Sequence, residues 1–300
     1  MDYDEVISAF FVPTPEGTVP EPTRRSGIAR RLRDAIEPIA MHPVWSRRNN
    51  AALADLGLDF FSGYAWSRAA ALGEPSPSVV AATFAVFEPG MIGGAYEAGR
   101  AACGRTEMLA AREVATTASL AEVLAGADVA AAADWLYDAV IDLDRAGRPI
   151  YAGLADIAVP ADPMGRLWRS AEMIREHRGD SHIAACVARG LDPAEMNILT
   201  ELWVGMEFGT YSASRGWDEA TLHGAADALA GRGLLDGHQL TDAGRAFRDA
   251  IEDDTDRAQA QLVAALGDDV DDLIADLDSW SARCVAAAAF PPDAYKRAAG

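Results

Sequence analysis

Lysine is almost absent: of 26 basic residues, only Lys296 is not an arginine. That bias reads as the codon preference of a GC-rich genome and assigns no role by itself. Cysteine is nearly as scarce. Cys103, Cys186 and Cys284 stand far apart, with no CxxC pair and no Cys/His finger spacing, which argues against a disulfide framework and fits a reducing compartment. No stretch approaches the ~18 uninterrupted apolar residues that a membrane-spanning helix requires. The opening MDYDEVISAFFVPTPEG has no basic region followed by a long apolar run, so no secretory signal is expected. A GxGxxG after a strand, a P-loop, GxSxG and HExxH are all missing, which removes sequence support for the common nucleotide-cofactor and hydrolase classes. The expectation is a soluble cytoplasmic protein with no membrane partner, no metal and no cofactor.

What is present is acid, alanine and arginine. The 300 residues are half apolar and carry a net charge of −20, from 46 acidic and 26 basic groups. Such a surface repels nucleic acid and anionic membranes at long range unless a local basic patch overrides it. One patch exists. Arg24, Arg25, Arg30, Arg31, Arg33, Arg47 and Arg48 face only Asp34 and Glu37, an excess of +5 over residues 24–48. It could hold phosphate or an acidic partner, or pair with the chain's own acidic face.

Residues 1–26 contain four prolines between 12 and 26 and read as a flexible, extended lead-in. An all-helical lobe is expected over 27–188. Helices are predicted at 27–37, where Pro38 should end or kink the first, and at 44–56 and 59–72. Another opens at Ser76-Pro77, and alanine-rich ones follow at 104–125 and 128–146, with a long helix at 164–188. Part of this lobe, SRAAALGEPSPSVVAATFAVF, loosely parallels the later SASRGWDEATLHGAADALAGRG, as a degenerate winged-helix copy would.

Residues 189–300 change character. A capped helix at Asp192-Pro193 leads through a Gly/Ser connector to a helix with the stripe Leu222, Ala226, Leu229. Two short apolar ends then flank Asp236-Gly237, and Thr241 caps a further helix. The order is that of a winged helix-turn-helix, and RGLLDGHQLTDAGRAF resembles the wing of the multiple-antibiotic-resistance regulator superfamily. The fold expected is therefore mainly α, with a helical N-terminal lobe and a winged-helix C-terminal lobe bearing a small β-hairpin. A DNA reader needs basic groups for phosphate. Residues 190–260 hold fourteen acids and five arginines, a net −9, and 218–230 has three acids and no Lys, Arg, Asn or Gln.

Chemistry-bearing residues concentrate in Arg175-Glu176-His177-Arg178-Gly179-Asp180-Ser181-His182. On a continuous helix, Arg178 and His182 share a face, as do His177 and Asp180. Gly179 is costly inside a helix, so either the helix breaks there or something approaches its backbone. Three readings stay open: a metal site needing a further ligand from elsewhere, a histidine poised by a carboxylate for acid–base work, or a structural polar junction. Tyr64 and Arg68 lie one turn apart beside Phe60, Phe61 and Trp66, and Trp168, Trp203 and Trp217 recur near the lobe junction. An aromatic wall with an arginine suits a planar or anionic small molecule, although aromatics at this spacing also make ordinary core.

The segments GYAWSRAAALGEPSPSVVAATFAVFEP, GRPIYAGLADI, LWRSAEMIREHRGDSHIAACVARGLDPAE and RGWDEATLHGAADALAGRGLLDGHQLTDAGRAFRDAIEDDTD together resemble a family of uncharacterised actinobacterial proteins with a helix-turn-helix fold. The resemblance implies a helical lobe fused to a winged helix, and puts Arg68, Glu176, His177, Arg178, Asp180 and His182 on recurring motif positions. It departs at Ser181, where GDGH is common, and at Ala85-Val86, where an aromatic is usual; it implies no activity.

The function these features favour is binding of a small molecule between lobes, at Tyr64, Arg68, Trp168, Glu176, His177, Arg178, Asp180 and His182. The alternatives are a dimeric DNA-binding regulator using Arg215, Arg232 and the wing, and an enzyme using His177 or His182 beside Asp180. Salt-sensitive binding of duplex DNA would mark the regulator. Oligomeric state is not readable from the pattern, although winged-helix scaffolds with long flanking helices pair through them, which admits a homodimer.

Overall fold

The computed structural model describes residues 3–299. The lead-in is less extended than its prolines suggest. Helix α1 (Tyr3–Phe10) buries Val6, and a 3-10 turn at Glu21–Arg24 buries Pro22. Helix α2 (Ile28–Ala40) then runs past Pro38, which sits two residues before its end. Next come α3 (His42–Trp45), α4 (Arg47–Asp55) and α5 (Phe60–Ala69), the last started by a capping box between Asp59 and Ser62.

Helix α6 (Pro77–Phe84) begins at its proline, but Ser76 bonds Ser78 instead of capping the backbone. Helices α7 (Pro89–Ala102), α8 (Arg105–Val123), α9 (Ala130–Val140) and α10 (Pro149–Ala155) follow, the alanine-rich pair ending short of the predicted limits. Helix α11 (Pro163–Ala188) is the spine. Asp162 caps it, and it continues unbroken through Gly179. A Cβ there would meet only Glu176 Oε2, at 3.8 Å, so neither a helix break nor a close backbone approach explains that glycine.

The last third forms the expected winged helix. Helix α12 (Pro193–Val204) starts from the Asp192/Glu195 capping box, and the connector contains a short α13 (Thr210–Ala213). The recognition-position helix α14 (Glu219–Gly231) buries the stripe Leu222, Ala226 and Leu229. The wing is β1 (Leu235–Asp236) antiparallel to β2 (Gln239–Leu240), in the register Leu235↔Leu240. Helix α15 (Asp242–Arg257) follows Thr241, whose Oγ1 accepts from the Gly244 amide at 3.0 Å. Helices α16 (Ala260–Leu266), α17 (Val270–Ala286) and α18 (Ala294–Ala299) complete the chain.

Two large apolar clusters result. The second is the winged helix, built on Ile198, Leu199, Leu222, Leu229 and Ile251. The first holds α2, α5, α8, α9 and the start of α11, and it also takes Leu262, Leu273, Leu277 and Cys284 from α16 and α17. Those two helices thus follow the winged helix in sequence but pack with the first cluster. Their apolar faces return to pack on the N-terminal core, so the winged helix is held from both of its chain ends.

Gly244 shows why Thr241 is followed by a glycine three residues on. A Cβ at Gly244 would lie 2.0 Å from the Leu234 carbonyl oxygen, a backbone atom that cannot swing away. Gly244→Ala is expected to cost about 1–3 kcal/mol of stability through this overpacking, measured by chemical denaturation. Unchanged stability would contradict the close approach of α15 to the wing.

Candidate functional site

Helix α11 carries Glu172, Glu176, His177, Arg178, Asp180 and Ser181 as buried residues. Charged groups leave water at acceptable cost only when paired, and partners arrive from other helices. Glu252 of α15, 1% exposed, accepts from Arg178 Nη2 at 2.6 Å, Arg248 Nη1 at 2.9 Å and Arg30 Nη1 of α2 at 3.3 Å. Burial opposes its ionisation, yet the guanidiniums of Arg178, Arg248 and Arg30 hold it well below the usual carboxylate range. Glu176 takes both prongs of Arg68 at 3.2 and 2.7 Å, plus Arg175 Nη1 at 2.8 Å. Arg68 also donates to the Tyr64 hydroxyl at 2.9 Å, and Arg175 reaches Glu37 of α2 at 3.1 Å.

This network borders a cavity of about 520 Å³. One wall is aromatic, formed by Trp45, Phe60, Phe61, Tyr64, Phe84 and Phe87. Phe61 stacks on Tyr64 with centroids 6.1 Å apart, and the Arg68 guanidinium sits 4.5 Å from the Phe84 ring centroid. Eight Arg or Lys side chains line it against five carboxylates. A chain of net charge −20 thus turns a cationic interior toward this space. Gly179 is on the wall, and its missing side chain leaves the space open.

Six of the eight residues named from the sequence line the cavity: Tyr64, Arg68, Glu176, Arg178, Asp180 and His182. His177 does not. It shares the opposite face of α11 with Ser181, one turn on, where its Nδ1 meets Gln259 Oε1 at 2.9 Å and its ring stands edge-on to Tyr151. Trp168 does not either. It lies about 10 Å back along the axis from Arg175, wholly buried in the first core, with the Arg112 and Arg169 guanidiniums 5.1 and 4.8 Å from its ring centroid.

Neither histidine of the run bonds Asp180, so the histidine–aspartate pair of the enzymatic alternative is not formed. His182 Nδ1 contacts Thr255 Oγ1 at 3.1 Å and its Nε2 lies 3.6 Å from Cys186 Sγ, while burial pushes its pKa down to about 3. Asp180 instead accepts from the Ile150 and Tyr151 amides at 3.0 and 3.1 Å, capping α10. Burial, helped by Glu176, pushes it up to about 7. Among the described residues no three His, Cys, Asp or Glu side chains gather as a metal site.

The residues missed from sequence are Arg30, Arg215, Arg248, Glu252 and Lys296. Arg30 belonged to the basic cluster, as did Arg33, which also lines the cavity; the other five go to the chain's own acids: Arg24 to Glu21 at 3.1 Å, Arg25 to Asp253, Arg31 to Asp271 at 2.7 Å, Arg47 to Asp4 at 2.8 Å and Arg48 to Glu122. Lys296 carried one signal, its rarity. Burial pushes it down to about 8, against the pull of the Asp293 carboxylate and with a smaller push in the same direction from Arg215. Of the arginines considered for DNA, Arg215 faces the cavity, and Arg232 donates to the Arg189 and Gly190 carbonyls at 3.1 and 3.3 Å.

The turn of the helix-turn-helix is docked on the first part of the chain. The Val86 carbonyl accepts from Asn197 Nδ2 at 2.7 Å and Trp217 Nε1 at 2.9 Å, and the Glu88 amide donates to the Arg215 carbonyl at 2.9 Å. A family model described as a helix-turn-helix family matches residues 29–291. The chain belongs to this helix-turn-helix family. No curated protein and no solved structure matches it. The match of the helix-turn-helix family runs across both apolar clusters, from α2 to beyond α17, so the matched stretch includes most of the cavity wall as well as the winged helix, while Phe10 and the lining residues of α18, Lys296 among them, fall outside it. Among the described residues no helix is long and apolar enough to cross a membrane.

Glu252→Gln leaves three guanidiniums without their shared counter-charge, and a loss of about 3–5 kcal/mol is expected in denaturant titration. A loss below 1 kcal/mol would show that the three arginines find other partners. A second expectation concerns acid. His42 and His182 are held neutral by burial, at about 4 and 3, against ~6.5 in an unfolded chain. The unfolded chain therefore binds more protons between those values, and stability falls as pH drops from about 6.5 to 4. Glu252, depressed in the fold, adds loss only below the ordinary glutamate range, whereas Asp180, raised in the fold, works in the opposite direction. The decisive comparison is thus a difference: a His42→Gln/His182→Gln variant should lose less stability than the parent between pH 6.5 and 4.5 in thermal melts. Parallel curves would exclude the buried neutral histidines.

Proposed function

We propose that this helix-turn-helix chain is a small-molecule-binding protein in which the winged helix serves as a wall of the ligand cavity and not as a DNA reader. The observation that carries the reading is the aromatic, cation-rich cavity of about 520 Å³ between the winged helix and the N-terminal helices. That volume lies in the range of small-molecule sites, and apolar walls with a few convergent polar groups are what such sites have in common. Against DNA reading stands the outer face of α14. It exposes Glu219, Thr221, His223 and Asp227 and offers no cation to phosphate.

One observation favours a second, enzymatic reading. Asp180 faces the cavity with a carboxyl near half-protonation at neutral pH, the state a general acid–base group requires. It would act without a histidine partner.

Gly179 supplies the test. Gly179→Leu replaces a helix-destabilising glycine with a good helix former and projects its side chain into the open space. The variant is expected to fold with equal or higher thermal stability. It should also lose the ligand-dependent rise in melting temperature that the parent shows with its bound metabolite, recovered by native mass spectrometry. If the parent retains no small molecule and none from a cell extract shifts its melting, or if the leucine variant responds equally, the proposal fails.

A further inference from the structure

Six of the eight cations on the cavity wall are spoken for, each lying within ion-pair distance of a carboxylate. Arg215 and Lys296 have no such partner among the described residues. Arg215 comes from the turn of the helix-turn-helix. Its guanidinium is 4.2 Å from the Tyr211 ring centroid and 5.1 Å from that of Phe87. One Nη donates to Ser214 Oγ at 3.2 Å, and the buried Nε has no hydrogen-bond partner. Lys296 comes from α18 at the other end of the chain. It donates to the Phe10 carbonyl at 3.3 Å, with its ammonium 3.9 Å from the Phe10 ring centroid. Two cations from separate elements thus face one space, repel each other and rest on aromatic faces; Asp293 acts on Lys296 from beyond ion-pair distance, and among the described residues no carboxylate makes an ion pair with either cation. A guanidinium and an ammonium with donors to spare are a costly arrangement unless an anion completes it.

Resting on the reading of the cavity as a binding site, the geometry points to Arg215 and Lys296 as the seat for the carboxylate head of a ligand whose flat apolar body lies against Phe61, Tyr64, Phe84 and Phe87. A carboxylate matches a planar guanidinium fork and a single ammonium. The class is aryl or polycyclic carboxylic acids. Because Arg215 belongs to the helix-turn-helix turn and Lys296 to the C-terminal helix, such a head would tie the two elements together across the cavity.

The probes are 1-pyrenebutyrate and its neutral amide, which share a flat fluorescent body and differ in head charge. The intact chain is expected to bind the acid at least about tenfold more tightly than the amide, the value of one charge-assisted contact. Arg215→Met and Lys296→Met should each remove about tenfold from acid affinity while leaving amide affinity unchanged. The unchanged amide also reports that the cavity is still folded. Lys296 is the only lysine of the chain, so its acylation by an amine-reactive ester can be followed on a single peptide; the acid should protect it and the amide should not. Equal affinity for acid and amide, or equal loss of both in the variants, would overturn the carboxylate seat while the cavity reading stands. Failure of both probes to bind the parent chain would overturn the two together.

Discussion

Glu252 is a carboxylate sealed from water and held by Arg30, Arg178 and Arg248 on three helices. The rest of the structure depends on that coordination. An ion in a low-dielectric interior is tolerated only in the geometry that keeps its partners in place. The contact therefore sets α2, α11 and α15 relative to one another as an apolar contact, which is indifferent to small slips, would not. A similar constraint recurs where Glu37 takes Arg175 and where Glu176 takes Arg68. Each carboxylate sits on one helix and reaches a guanidinium on another, so the winged helix and the N-terminal helices are positioned by charge as much as by burial.

This arrangement inverts the charge economy of a DNA-binding winged helix. Arg30, Arg33, Arg112, Arg169, Arg178 and Arg248 are buried against the chain's own acids, and the outer face of α14 is left with Glu219 and Asp227. The turn that would seat a recognition helix on DNA is bonded instead to Val86 and Glu88. What remains of the fold is a rigid frame: Thr241 caps α15, Gly244 lets it close on the wing, and Asp192 opens α12. The frame presents Arg215 and Arg248 to the interior space.

Much of this was legible in advance because it depends on local chemistry. Caps, prolines and the Asp236-Gly237 turn located the winged helix, and the density of ionisable groups from Arg175 to His182 located the cavity wall. His177 was misplaced because helical phase puts it with Ser181 on the far side of α11, and spacing within the run alone does not say which face a cavity will occupy. Trp168 was misplaced because an aromatic near a junction looks the same in sequence whether it lines a space or fills a core. Lys296, Arg215 and Glu252 lie far from that run, and nothing in sequence order connects them to it.

The sequence by itself determined the helical character, the caps at Asp192 and Thr241, the hairpin and the acidity of the would-be reading head, since these follow from backbone preference and a charge count over neighbouring residues. Only the tertiary structure decided where the cations go and which helices share a core. It brought α16 and α17 back to the N-terminal cluster and set Arg30 against Glu252 across 222 residues. The reason is physical: pairing and desolvation depend on distance in space. A chain with 46 acids and 26 bases offers far too many possible partners for composition to choose among them.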